Sequence, residues 1–170
     1  MKHIYCEYCG TKFSEQSKYP RKCFKCYRDT FSNPPPTVVA AIRVWDPKNP
    51  RRWGVLLQKR SIDPKKGKWG LMGGYMEGSV METWQEATSR ETFEEVGLSI
   101  PPQSFNLIDV VSQPIQVGYA ILLRSVAIPI IHWEQIKFKP NDEVSEIAIA
   151  YELQELAFDT HTELLKMVLG

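Results

Sequence analysis

Short apolar runs separated by turn residues dominate the chain from residue 37 onward. The first run, residues 37–45, is β-branched and apolar, which is typical of a buried strand. Proline and asparagine over residues 46–50 then predict a turn before the next run. Further strands are predicted where apolar and β-branched residues recur, over residues 53–60, 106–112, 117–128 and 144–151.

Two segments are predicted to be helical. The acidic segment after residue 79 should end at Gly97, because glycine adopts the left-handed conformation of a helix C-cap at little cost. Its start stays open, since Ser79 and Thr83 each begin a Ser/Thr-x-x-Glu capping box. Leucines in residues 160–169 predict a closing helix. Strands before and after one helix, with a second helix at the end, predict an α/β (α+β) sandwich.

A proline-rich linker at residues 33–36 divides the 170-residue chain. Consecutive prolines favour an extended chain and exclude a helix. We therefore predict a small unit at residues 1–33 and a larger domain at residues 37–170. No apolar stretch approaches the ~20 residues of a membrane span, and the first residues lack the apolar core of a signal peptide. We expect a cytoplasmic protein without a membrane partner.

All four cysteines lie in the small unit, as two Cys-x-x-Cys pairs: Cys6 with Cys9, and Cys23 with Cys26. Two such pairs with a short spacer match the tetrahedral Cys₄ site of a zinc ribbon. Two disulfides are the alternative, but a reducing cytosol favours zinc. Four thiolates leave no open position for water or substrate, so the zinc should be structural.

The small unit is also basic, with seven Lys and Arg residues against three Asp and Glu residues, whereas the whole chain has a net charge of only +1. A basic zinc ribbon can bind nucleic acid. Because the rest of the chain is not basic, the sequence favours a folded cap or dimer element with solvated lysines, and nucleic acid is not expected as a partner.

The acidic helix carries Glu91, Glu94 and Glu95 at spacings of three and four residues. At 3.6 residues per turn these three side chains project over one side of the helix. Like charges at these spacings destabilise a bare helix, whereas Mg²⁺ takes carboxylate oxygens as ligands. The pattern indicates a metal site, and a solvated acidic face is the alternative.

These residues, with Gly73-Gly74 before them, resemble the signature of the Nudix hydrolases: a glycine loop, Glu, seven residues, Arg-Glu, an apolar residue, any residue, Glu-Glu, any residue, Gly and an apolar residue. The stretch from Glu82 to Leu98 has the spacing of that signature. The resemblance implies a Nudix α/β/α sandwich in which Glu91, Glu94, Glu95 and the carbonyl of Gly74 bind Mg²⁺ or Mn²⁺. It also implies that Glu82 pairs with Arg90 to brace the loop.

The chain departs from the signature in two places. Thr92 occupies a position where the family usually has an aliphatic residue, and seven residues rather than five separate Gly74 from Glu82. We interpret the latter as a two-residue insertion within residues 76–81. In the family a further carboxylate often comes from a distant loop, for which we favour Glu143 and keep Glu146 as the rival.

The ribbon, the linker and the signature together resemble the zinc-ribbon Nudix hydrolases, a group that includes enzymes acting on NADH, ADP-ribose and FAD. The members that act on NADH carry a longer motif after the helix, and in this chain only its first three residues match, Ser112-Gln113-Pro114. The resemblance implies metal-dependent hydrolysis of a nucleoside diphosphate linked to another moiety, of the ADP-ribose, FAD or NAD(H) type, by a homodimer. Hydrolysis of nucleoside triphosphates or capped RNA, and a non-catalytic nucleotide sensor, are the alternatives.

The substrate-binding residues are not assigned from the sequence. Lys59 and Arg60 end a predicted strand, and basic residues at 65, 66 and 68 occupy the following loop, where they are suited to phosphates. Trp69, Tyr75 and Tyr119 are suited to stacking on a base. Solvated lysines and packed aromatic rings are the alternatives at each position.

Overall fold

The computed structural model of the protein describes residues 4–13, 19–78, 81–116 and 118–170. The strands are β1 (Arg21–Lys22), β2 (Asp29–Thr30), β3 (Pro36–Ala41), β4 (Arg43–Asp46), β5 (Asn49–Arg60), β6 (Trp69–Gly70), β7 (Phe105–Pro114), β8 (Tyr119–Ala127) and β9 (Val144–Ala150). Helix α1 (Trp84–Val96) follows β6, and helix α2 (Asp159–Leu169) follows β9. Within these ranges no helix combines the length and apolarity needed to cross a membrane.

Two sheets form the larger part of the chain. In the first, β8 pairs in parallel with β3 and antiparallel with β7. In the second, β5 pairs antiparallel with β4, β6 and β9. Gln58 of β5 has a backbone partner on each side, Gly70 in β6 and Ile147 in β9. At Gln58, β5 is therefore an interior strand of the sheet, paired on both sides.

Residues 37–41 of β3 and 54–58 of β5 are buried on both faces of the strand, and alternate residues contribute to two separate core layers. Ala40 of β3 lies in the layer that contains Val96 of α1, whereas Ala41 lies in the layer that contains Leu164 of α2. Because side chains alternate across a strand, a segment covered on both faces is expected to be mostly apolar. This arrangement is the predicted α/β/α sandwich.

The predicted strands and closing helix are present, with two corrections. Residues 37–45 were predicted as one strand, but the chain forms β3 and β4 there, and these belong to different sheets. The change of sheet occurs at Ile42, which is fully buried. No polar or turn residue marks the change, because both strands need apolar side chains. The predicted turn is also tighter than residues 46–50, since Asn49 already belongs to β5.

Helix α1 begins and ends at residues with recognisable caps. Thr83 is the N-cap, and its hydroxyl accepts a hydrogen bond from the backbone N–H of Glu86. The alternative cap, Ser79, lies outside the described residues. Thr92 is fully buried, and its hydroxyl donates to the carbonyl of Thr88 at 2.7 Å, so a polar residue is satisfied at this apolar position. Gly97 ends the helix in the left-handed conformation, with φ 65°.

Replacement of Gly97 by alanine should destabilise the protein more than the same change at Gly67. Both glycines have positive φ, which costs an alanine about 1–2 kcal/mol. At Gly97 a Cβ atom would also lie 2.6 Å from the backbone oxygen of Lys137, whereas nothing lies within 4 Å at Gly67. Overpacking of this kind adds about 1–3 kcal/mol. The free energy of unfolding of Gly97→Ala and Gly67→Ala, measured in urea, tests this. Equal losses would contradict it.

Candidate active site

A cavity of about 620 Å³ lies where β5, the loop after β6, helix α1 and the loop before β9 meet. The carboxylates predicted from the sequence, Glu91, Glu94, Glu95 and Glu143, all line it, together with the glycine loop. The fold therefore brings a distant carboxylate to the three that are close in sequence. This concentration of negative charge is the main chemical feature of the cavity.

Glu95 is the most deeply buried of these carboxylates, at 4% exposure. Its Oε1 accepts a hydrogen bond from Nε2 of Gln58 at 2.6 Å, and its Oε2 accepts one from the backbone N–H of Gly73 at 2.9 Å. Burial, reinforced by the charges of Glu91 and Glu143, raises the pKa of Glu95 to about 8, although both hydrogen bonds act in the opposite direction. A cation in the cavity would favour the ionised carboxylate.

Glu91 lies directly against the glycine loop. A Cβ atom added to Gly74 would be 2.6 Å from the Glu91 carboxyl group, so only glycine fits at this position without displacing the carboxylate. Burial raises the pKa of Glu91, and nearby Glu94 and Glu143 raise it further, while Arg90 lowers it. The carbonyl of Gly74, predicted as a metal ligand, accepts a hydrogen bond from the N–H of Val38 at 2.9 Å. A second lone pair stays available, so this role stays a prediction.

Arg90 braces the loop as predicted from the resemblance. Its Nε donates to Oε1 of Glu82 at 2.7 Å, and its Nη2 donates to the carbonyl of Tyr75 at 3.1 Å. Glu82 in turn accepts a hydrogen bond from the N–H of Glu77, which lies in the segment with the inserted residues. The Arg90 side chain lowers the pKa of Glu82 chiefly through these hydrogen bonds.

Arg90 also contacts two of the predicted metal ligands, which the sequence did not indicate. Its Nη1 donates to Oε1 of Glu91 at 2.8 Å and to Oε2 of Glu94 at 3.0 Å. One guanidinium group therefore connects Glu82, Glu91 and Glu94. This contact also separates the carboxylates of Glu91 and Glu94, whose repulsion it offsets.

The two candidates for the additional carboxylate have different surroundings. Glu143 lines the cavity, whereas Glu146 forms an ion pair with Lys59 at 2.7 Å and does not line it. Asn141 fixes the loop that carries Glu143, because its Oδ1 accepts from the N–H of Glu143 and its Nδ2 donates to the carbonyl of Glu95 at 3.2 Å. This geometry favours Glu143 over Glu146.

Several cavity residues were not singled out by sequence reasoning. Gln113, Phe158 and His161 line the cavity, and only the position of Gln113 in the Ser-Gln-Pro segment offered a signal. Arg60, one of the unassigned candidates, lies there with its guanidinium 5.3 Å from the Phe158 ring. Of the aromatic residues considered, Tyr75 lines the cavity. The other unassigned candidates for substrate binding do not line the cavity: Lys59, Lys65, Lys66, Lys68, Trp69 and Tyr119.

The four cysteines form a second candidate site. All four sulfur atoms lie within 4.8 Å of one another, and none of the cysteines forms a disulfide. The Sγ atoms of Cys6 and Cys26 are 3.6 Å apart, as are those of Cys9 and Cys23. Hydrogen bonding to Thr11 lowers the pKa of the Cys9 thiol, whereas burial and the neighbouring thiols raise the pKa of Cys26. The geometry fits one metal ion.

Comparison with known proteins agrees with this architecture. The NUDIX domain family model matches residues 34–167. The chain belongs to the NUDIX domain family. A NUDIX hydrolase from Nitrosomonas europaea has 25% sequence identity and a TM-score of 0.63, over 97% of this chain and 89% of that one. The NUDIX domain of Shewanella oneidensis NrtR, solved with ADP ribose, has 22% identity and a TM-score of 0.66, over 81% of this chain and 88% of that one.

Curated NUDIX relatives include the NAD-capped RNA hydrolase NudC of Haemophilus influenzae (strain PittEE), 33% identical over 101 residues, which are 58% of this chain and 35% of that protein. NudC of Edwardsiella ictaluri is 29% identical over 126 residues, 74% of this chain and 44% of that protein. The chain thus spans less than half the length of these curated relatives.

His161 should make the stability of this NUDIX protein depend on pH below neutrality. Its Nδ1 accepts from the N–H of Leu71 at 3.2 Å, and burial, with the charges of Arg60 and Arg124, lowers its pKa from 6.5 to about 3. The unfolded chain therefore binds a proton below pH 6.5 that the folded chain does not, and stability falls as the pH falls.

Between pH 7 and pH 5 the wild type should lose about 2 kcal/mol more than His161→Asn, which keeps an acceptor but does not titrate. Urea denaturation at both pH values measures the two losses. Parallel losses in the wild type and the variant would show that another group is responsible.

Proposed function

We propose that the protein is a divalent-metal-dependent pyrophosphohydrolase. Its substrate would be a nucleoside diphosphate linked to another moiety, of the ADP-ribose, FAD or NAD(H) type, and its products a nucleoside monophosphate and a second monophosphate. The observation that supports this most is the meeting of Glu91, Glu94, Glu95 and Glu143 in one cavity of about 620 Å³. That volume is within the range of small-molecule sites.

The donor set suits Mg²⁺ or Mn²⁺, because hard divalent ions take carboxylate and carbonyl oxygens. Glu91, Glu94 and Glu95 would hold the ions, with the Gly74 carbonyl as a further ligand. When bound, such ions neutralise phosphate charge and lower the pKa of a bound water. The raised pKa values of Glu91 and Glu95 are consistent with a site whose charge is balanced by a cation.

The protein side chains would supply positioning and proton transfer. Glu143 lines the cavity with the carboxylates of α1, and there it would orient the attacking water and accept its proton. Arg60 would bind a phosphate oxygen of the substrate, since it is the strand-end cation that lines the cavity. Stacking against Phe158, at 5.3 Å, limits the motion of its guanidinium group. Tyr75 would stack on the base.

Two observations bear on the substrate. The NrtR domain with similar fold was solved with ADP ribose, which favours a diphosphate-linked ribose for this cavity. The curated relatives are named NAD-capped RNA hydrolases, and the first 33 residues of this chain are basic, so hydrolysis of capped RNA is the second candidate. Both reactions would cleave a diphosphate linkage. The homodimer implied by the resemblance and the cytoplasmic location expected from the sequence both stay proposals.

Zinc is the metal that we propose for the cysteine cluster. Tetrahedral ligation with Zn–S distances of about 2.3 Å places sulfur atoms about 3.8 Å apart. The Sγ atoms of Cys6 and Cys26, and those of Cys9 and Cys23, are close to this separation, at 3.6 Å. Four thiolates complete the coordination, so the ion would be structural. A ribbon of about thirty residues buries little apolar area, and metal binding would supply the missing folding free energy.

The proposed activity is tested by turnover of a panel that contains ADP-ribose, FAD, NADH, NAD⁺, nucleoside triphosphates and NAD-capped RNA, with Mg²⁺ or Mn²⁺. We expect one diphosphate-linked substrate to give a nucleoside monophosphate, and EDTA to abolish the reaction. Glu94→Gln and Glu143→Gln should each lower kcat by about 100-fold or more, the scale of a lost acid–base or electrostatic contribution.

Glu146→Gln is the matched control, because Glu146 pairs with Lys59 outside the cavity, and it should keep nearly full activity. Full activity of Glu94→Gln would contradict the metal assignment. No turnover of any substrate by a zinc-loaded protein would favour the nucleotide sensor instead. Affinity for RNA that falls steeply with salt would favour the capped-RNA substrate.

Purified protein should contain ~1 zinc ion per chain, measured by atomic absorption, and Cys23→Ser should lose most of it. Cys23 is fully buried in the cluster, so a serine there removes an inner ligand. Thr30→Val is the matched control, since its buried hydroxyl has no hydrogen-bond partner in the described part of the chain, and it should keep its zinc. Zinc retained by Cys23→Ser would contradict the assignment.

A further inference from the structure

The side-chain amide of Gln58 is buried, although the neighbouring buried residues of β5 are apolar. It is 1% exposed, and the preceding residues, Leu56 and Leu57, are buried as well. Leu56 has the same parity along β5 as Gln58 and lies in the core layer that faces helix α1. Gln58 therefore points from the sheet towards α1, and its amide needs hydrogen-bond partners there because burial of an unpaired polar group costs free energy.

The amide nitrogen of Gln58 connects the candidate site to the sheet. Nε2 donates to Oε1 of Glu95 at 2.6 Å and to the carbonyl of Leu71 at 3.2 Å. The other carboxylate oxygen of Glu95 accepts from the N–H of Gly73 at 2.9 Å. Each oxygen of Glu95 is thus held by one donor, which fixes the plane of the carboxyl group.

The orientation of this amide is determined by its neighbours. Leu71 offers a carbonyl oxygen and Glu95 offers a carboxylate oxygen, so a flipped amide would face two acceptors with its own oxygen. In the observed orientation Oε1 has no hydrogen-bond partner among the described residues. An apolar side chain of similar shape would avoid the free-energy cost of burying this unpaired oxygen. The amide is therefore poorly explained as core packing alone.

We propose that Gln58 is the positioning residue that presents the Glu95 carboxylate to the divalent cation, an inference that rests on the proposed function. Gln58 does not line the cavity, so it acts through Glu95 and not on the substrate. With one donor on each oxygen, Glu95 keeps further lone pairs directed elsewhere for a metal ion. Because it also donates to the carbonyl of Leu71, the same amide fixes the position of the residues before the glycine loop relative to helix α1.

The test uses Gln58→Leu in the full-length, zinc-containing protein. Mn²⁺ affinity is measured by electron paramagnetic resonance without substrate, and kcat, KM and the melting temperature are measured alongside. Loss of a residue that orients a metal ligand typically weakens metal binding by about 10- to 100-fold, and we expect that range for the dissociation constant of Mn²⁺. We expect kcat to fall at saturating substrate while KM changes by less than about threefold, since Gln58 makes no substrate contact.

Ser125→Ala is the matched control. Ser125 is fully buried, and its hydroxyl donates to the carbonyl of Val39 at 3.2 Å, away from the cavity. It should lower the melting temperature without changing Mn²⁺ affinity. Gln58→Met, which keeps the length of the side chain without a donor, provides the same readout if the leucine variant does not fold.

Unchanged Mn²⁺ affinity in Gln58→Leu or Gln58→Met, in a protein whose wild type binds Mn²⁺ and is active, overturns the positioning role alone. An equal loss of affinity in Ser125→Ala also overturns it, because general destabilisation would then be the cause. A wild type that neither binds Mn²⁺ nor hydrolyses any member of the panel overturns the proposed function and this inference together.

Discussion

The guanidinium group of Arg90 is the interaction on which the candidate site depends. Three glutamates at i, i+3 and i+4 repel one another on a helix, and burial makes their charge more costly. Arg90 offsets part of this repulsion by contacting Glu91 and Glu94, and through Glu82 it fixes the loop before the helix. One arginine does not balance all the carboxylates of the cavity. The negative charge that Arg90 leaves unbalanced would suit the divalent cation that we propose for this site.

The burial of β3 and β5 on both faces also helps to fix the position of the candidate site. Each strand separates two core layers, one with α1 and one with α2. Residues of β5 that face α1 are therefore packed directly against this helix, and Gln58 reaches Glu95 from that side. Asn141 makes the corresponding connection from the loop before β9. Glu95 is thus held from the sheet and the glycine loop, and its backbone carbonyl is held by Asn141.

Much of the fold was predictable because its strands have buried apolar segments and helix α1 has clear end signals. The glycine at position 97 marks the end of α1 in the sequence, and Thr83 is one of the two capping boxes that the sequence offered for its start; the structure has both Thr83 and Gly97 as caps. The change of sheet at Ile42 was not predictable, since strands on both sides of it require the same apolar residues. The cysteine spacing predicted a metal cluster, and the four sulfur atoms do converge.

The sequence by itself determined the acidic face of α1 and the loop glycines, because each depends on spacing within one helix or one loop, whereas the Arg90–Glu82 pair was implied by the family resemblance. Only the tertiary structure placed Glu143 in the cavity and Glu146 outside it, and only it brought Arg60, Phe158, His161 and Gln113 to the cavity. Those choices depend on strand register: Lys59 pairs with Glu146 across β5 and β9, which leaves Glu143 for the cavity. Contacts between residues distant in sequence arise from packing, and periodicity along the chain does not record them.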